Sequence, residues 1–124
     1  MSVSHDNVGD IYRALGDTKS ALTSYESSLK IAEELRKRNP DSADYARDLS
    51  VSYNKVGDIY KALGDTKSAL TSYESSLKIR EELRKRNPDS ADYARDLSVS
   101  YNKVGDIYKA LGDTKAPLRV MKAL

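Results

Sequence analysis

The sequence predicts an all-α chain, a solenoid of antiparallel helix pairs. Three observations point there. The chain repeats itself with a period of 48 residues. Each period splits into two segments whose apolar residues recur at helical spacing. A Gly-Asp link joins the two segments, and so short a link makes neighbouring helices antiparallel. One such pair cannot bury its own apolar faces, whereas stacked pairs share a continuous core.

The repeat is nearly exact. Residues 2–49 match residues 50–97 except at His5/Tyr53, Asp6/Asn54, Asn7/Lys55, Arg13/Lys61 and Ala32/Arg80. A third copy starts at Ser98, follows the second through Lys115, and gives way to Ala116-Pro117-Leu118-Arg119-Val120-Met121-Lys122-Ala123-Leu124. The expected organisation is one repeat domain over residues 1–124: repeat one at 2–49, repeat two at 50–97, and a partial third at 98–124, about two and a half repeats.

Each element has its own signals. Asn39-Pro40 reads as a helix start, because Asn accepts from orphan amides and Pro at the first position loses no needed N–H. Ala46, Leu49, Tyr53, Val56, Tyr60 and Leu63 follow in steps of three and four, one face of a helix. Gly64 supplies a left-handed terminus, and Asp65 caps the next helix. That second helix carries Ala69, Leu70, Tyr73, Leu77, Ile79 and Leu83. It ends in Arg84-Lys85-Arg86, cations where the helix dipole favours them. The pattern predicts six helices, near 3–15, 17–38, 40–63, 65–86, 88–111 and 114–123.

Val56-Gly57, Tyr60, Gly64, Ala69 and Tyr73 resemble the tetratricopeptide repeat, with Tyr53 for the leading Trp and Tyr73 for the later aromatic. The set recurs at Gly9, Tyr12, Gly16, Ala21 and Tyr25, and again at Tyr101, Val104, Gly105, Tyr108 and Gly112. Three copies in register make the resemblance strong. The family repeat has about 34 residues. Two added heptads lengthen both helices here without dephasing their stripes, as in the similar kinesin light chain repeats. Gly57 inside a helix costs about 1 kcal/mol against Ala. That cost makes sense where the partner helix approaches too closely for a side chain, with Ala69 as the matching small residue.

Composition bounds the function. The chain is 39% hydrophobic and 32% charged, with net charge +2 and no cysteine. No apolar run approaches a membrane span, and the N-terminal residues lack a secretory signal. The charge balance argues against nucleic acid as a partner, and the Arg-Lys-Arg clusters read as dipole complements. Adjacent glutamates (Glu33-Glu34, Glu81-Glu82) point about 100° apart on a helix and chelate poorly. His5 lacks an orienting partner. The expectation is a cytoplasmic protein with no catalytic residue, no cofactor, no metal and no small-molecule substrate.

The resemblance implies a right-handed superhelical solenoid that serves as a protein-binding scaffold. It makes the first helices of each pair the lining of a concave groove for a peptide or protein segment. On this chain that face carries Asp44, Arg47, Val51, Asn54, Asp58 and Lys61, and one repeat on Asp92, Arg95, Val99, Asn102, Asp106 and Lys109. Pairs such as Asp58 with Lys61 and Asp44 with Arg47 are spaced to satisfy one another along one helix. The alternative is self-association into a stacked or domain-swapped homo-oligomer. Neither end carries the polar capping helix of a closed solenoid, and Ala94, Leu97, Leu118, Met121 and Leu124 are its candidate contact residues.

Overall fold

A computed structural model describes residues 2–112, with side chains from residue 7 onward. These residues form five helices and no strand: α1 (Ser2–Ala14), α2 (Thr18–Arg38), α3 (Ala43–Ala62), α4 (Thr66–Arg86) and α5 (Ala91–Ala110). The sixth segment, 114–123, lies outside the described residues. Each helix packs on the next in chain order, α1 on α2 through α4 on α5.

The links follow from local chemistry. Gly64 sits at φ +83°, its N–H donates to the Lys61 carbonyl, and the Asp65 N–H reaches back to Tyr60. That pair of bonds is the Schellman closure, which needs a residue free to be left-handed. Asp65 then accepts from the Ser68 amide at 3.1 Å and its hydroxyl at 2.7 Å, so one residue turns the chain and caps the next helix. Gly16 and Asp17 do the same between α1 and α2.

The other junction corrects the sequence reading. Asn39 does not start α3; it closes α2, donating its backbone N–H and its side-chain amide to the Leu35 carbonyl. Asn39 to Ser42 is a turn closed by Ser42 N–H on the Asn39 carbonyl, with Pro40 second, where its fixed φ suits a turn. Ser42 is the true N-cap, accepting from Tyr45 N–H at 3.2 Å. The helices therefore begin at Ala43 and Ala91, three residues later than 40 and 88, with Ser90 capping α5.

Two core clusters repeat along the molecule. Ala21 and Tyr25 of α2 pack with Val56 and Ile59 of α3; Ala69 and Tyr73 of α4 pack with Val104 and Ile107 of α5. Both bind the second helix of one repeat to the first helix of the next. Within a repeat, the close approach is ring on backbone. A Cβ built on Gly57 would lie 2.7 Å from the Tyr73 ring, and one on Gly9 would lie 2.5 Å from Tyr25. The small residue on α3 thus faces an aromatic of α4, not Ala69. Further along, α3 and α5 meet α4 through small polar residues. Ser76 donates to the Ser50 carbonyl, and Ser50, Ser76 and Ser100 are wholly buried.

Gly57→Leu sets propensity against packing. Leu is the better helix former by about 0.8 kcal/mol, but its side chain has to displace the Tyr73 ring. We expect a net loss of roughly 1–3 kcal/mol from overpacking, read as a lower urea midpoint with an unchanged slope. A raised midpoint would contradict the packing of α3 on α4.

Candidate interaction surface

The first helices α1, α3 and α5 lie side by side, joined by ion pairs. Lys55 Nζ of α3 sits 3.3 Å from Asp10 of α1, and Lys103 Nζ of α5 sits 2.9 Å from Asp58 of α3. Arg13 reaches Asp58 at 3.9 Å. Arg47 grips Asp96 with two bonds, Nε–Oδ2 at 2.8 Å and Nη2–Oδ1 at 3.3 Å, and this raises the Arg47 pKa. The expected pairs along one helix, Asp58–Lys61 and Asp44–Arg47, give way to pairs between helices. A long Lys or Arg reaches a carboxylate on the adjacent helix as readily as one a turn away.

Each carboxylate also meets a tyrosine. Tyr25 Oη donates to Asp10, and Tyr73 Oη donates to Asp58. Lys55 and Lys103 lie over these same rings, 5.5 and 5.3 Å from the centroids, within cation–π reach. Desolvation, then the Asp10 bond, pushes the Tyr25 phenol up to about 12; desolvation with Asp58 raises Tyr73 likewise. The Tyr25 bond is the main cause holding Asp10 below the usual carboxylate value.

The twelve expected face residues separate by helix. On α5, Asp92, Arg95, Val99, Asn102, Asp106 and Lys109 are all exposed. On α3, only Asp44 and Lys61 are; Arg47, Val51 and Asp58 are half-buried, and Asn54 is 7% exposed. α3 is flanked on both sides, by α1 and α5, so its face is narrower than a single-helix pattern suggests. Asn54 Oδ1 is buried with no hydrogen-bond partner. Ala94 and Leu97 line a cleft of about 480 Å³ between α4 and α5 with Pro88 and Tyr101. Leu97 is 9% exposed there, so α4 and α5 already cover most of it. Leu118, Met121 and Leu124 lie outside the described residues.

Sequence reasoning passed over Arg80. Its Nε donates to Ser50 Oγ, and its Nη1 donates to the Asp96 carbonyl and Ser100 Oγ. It thus ties α4 to α3 and α5. Burial, the largest influence, lowers its pKa. The available signal was the Ala32/Arg80 difference, the only one between the second helices. Among the described residues no cluster is placed to hold a metal ion, and no helix is long and apolar enough to cross a membrane.

The tyrosine bonds give stability a pH signature. Tyr25 is held neutral in the fold, with its pKa raised from 10.0 to about 12. Its contribution is full below about pH 10 and is lost as pH rises through about 12. Asp10 is depressed, so its contribution holds above the ordinary value of 3.8 and is lost as pH falls through its folded value. In Tyr25→Phe the alkaline loss from this residue should vanish, and the Asp10 carboxyl, followed by NMR, should titrate higher. An unshifted Asp10 would contradict the bond.

The comparisons agree with this architecture. No curated protein matches the chain. Among solved structures it resembles BtubC (BKLC) from P. vanneervenii, with a TM-score of 0.77 and 24% identity, over 98% of this chain and 44% of that one. The chain therefore spans less than half the length of that protein, and the likeness concerns the fold. The family model for the tetratricopeptide repeat matches residues 1–82. With the repeated Gly–Tyr contact and paired helices already in place, the chain belongs to the tetratricopeptide repeat family.

Proposed function

We propose that this chain is a scaffold that binds a peptide or protein segment on the concave face of its first helices. The family generally mediates protein–protein interaction. The observation that carries the reading is Asn54. A buried amide oxygen without a partner costs roughly 1–3 kcal/mol, and a small rotation would present it to a peptide N–H. Beside it, α5 offers exposed Asn102 as a second amide and Val99, 40% exposed, as an apolar contact. Asp44, Lys61, Asp92, Arg95, Asp106 and Lys109 surround them with both signs of charge, which suits a segment that itself carries both. None of this calls for a bond to be made or broken, in keeping with a scaffold and not an enzyme.

A second reading, self-association, is favoured by one specific observation. Val8, Ile11, Tyr12 and Leu15 on α1 are 44%, 61%, 37% and 76% exposed. Stacked ends or a swapped helix would cover Val8 and Ile11, whose counterparts Val56 and Ile59 are 2% and 1% exposed.

The groove reading is tested with peptides selected from a random library on the full chain. Asn54→Leu with Asn102→Leu removes both amides at similar volume. Stability should hold within about 0.5 kcal/mol or rise, since an unpaired buried oxygen is lost, while selected peptides bind at least tenfold more weakly. Unchanged binding would place the site elsewhere; a large loss of stability would make Asn54 structural.

A further inference from the structure

The geometry points to a second interaction surface, two matching clefts between helices, that takes one acidic protein segment through an apolar side chain seated in each cleft. It goes beyond the concave-face reading and uses none of that face's residues.

Each cleft stands where a second helix gives way to the next first helix. Between α2 and α3, Leu49, Tyr53 and Pro40 line it together with Glu33, Arg36 and Lys37, around a volume of about 720 Å³. Between α4 and α5 the residues 48 positions on do the same: Leu97, Tyr101 and Pro88 with Glu81, Arg84 and Lys85, around about 480 Å³. Both volumes fall within the range of roughly 300–1,000 Å³ that suits a bound group. At 3.6 residues per turn, Leu49 and Tyr53 each lie about 200° round α3 from Val51. The cleft side of α3 is therefore not the side that carries the candidate groove.

The two clefts have different surroundings. The first is preceded by α1, Ser2–Ala14, and followed by the full α4, Thr66–Arg86; the second is preceded by the full α3, Ala43–Ala62. A complete preceding helix leaves the second cleft open, and a complete following helix leaves the first one open. The same six positions line both, so the opening belongs to the junction itself.

The lining says what fits. Leu49 and Leu97 are buried side chains with a tyrosine ring and a proline beside them, a floor for an apolar side chain. Around that floor each cleft sets two cations of the shared six against one carboxylate. Arg36 spends a donor on the Pro40 carbonyl, which leaves its charge uncompensated. Lys37, Arg84 and Lys85 form no ion pair with a described carboxylate. The complementary occupant carries an apolar side chain next to carboxylates. Two equal clefts one repeat apart let one segment engage both, which raises the effective concentration of its second contact.

The test titrates two synthetic tripeptides, acetyl-Leu-Glu-Glu-amide and acetyl-Leu-Lys-Lys-amide, into the isotope-labelled full chain, followed by NMR. The acidic probe should shift the backbone amides of Leu49, Tyr53, Leu97 and Tyr101 with a Kd of about 1 mM, and the basic probe should leave them in place. Lys37→Glu with Lys85→Glu, both at exposed positions, should weaken the acidic probe about tenfold at low salt, with folding checked by circular dichroism. Two acidic tripeptides joined by a flexible glycine-serine linker should bind at least tenfold more tightly than one, and Lys85→Glu alone should abolish that gain. Silence at all four amides up to about 10 mM, an equal response to both probes, or shifts confined to Val99 and Asn102 would overturn the clefts as a site. Binding of the single probe with no gain at any linker length would overturn one segment spanning both.

Discussion

The tyrosine set on a glycine is the contact from which the other spacings follow. The Tyr73 ring lies where a Cβ of Gly57 would be, which fixes how closely α3 and α4 approach. From that seat its hydroxyl reaches Asp58, so the same residue positions a carboxylate on the first-helix face. Asp58 in turn draws Lys103 from the following repeat, and the lysine settles back over the ring that placed the acid. One side chain thereby couples packing within a repeat to the spacing between repeats. Tyr25, Gly9, Asp10 and Lys55 form the same set one period earlier. Because the set is local and recurs, each junction is specified independently, as expected of a molecule whose units touch only their neighbours.

That coupling decides which part of the candidate face remains for a partner. On α3, Asp58 and Arg47 already hold Lys103 and Asp96, so a ligand would have to compete with bonds that space the helices. On α5, Arg95 and Asp106, the counterparts of Arg47 and Asp58, are exposed. Among the described residues the candidate face is thus not uniform: on α3 it is largely tied up between helices, and on α5 the same positions are exposed. Asn54 is the exception within the committed part, since its oxygen is left unsatisfied where nearly every other buried polar side chain is bonded.

Much of the fold was legible because its signals are local. The 48-residue period, the Gly-Asp links and the capping aspartates are written in contiguous residues, and their geometry follows from backbone preferences. The Asn-Pro-Asp-Ser stretch was misread because both a helix start and a turn welcome Asn followed by Pro; the later Ser42 decides it by capping Tyr45. The charge partners were misassigned for a different reason. Spacing along one helix says which residues share a face, but not how near the next helix stands. Asn54 and Asn102 are identical in sequence context yet differ in burial, because one lies on a helix flanked on both sides. Ile59, 1% exposed, fell outside the expected stripe because α3 packs against neighbours on several sides and has more than one buried face.

Arg80 shows how a near-exact repeat can still mark its own position. A buried guanidinium needs bonding partners, and here Ser50 of α3 with Ser100 and the Asp96 carbonyl of α5 accept three of its hydrogen bonds. Ala32 fills the corresponding place as a small buried residue, 3% exposed, and asks for no bonds. Both positions are buried, and the two junctions differ in what fills them. Two otherwise identical second helices are thus made distinct at one buried position, by a bonded polar side chain in α4 and a small apolar one in α2.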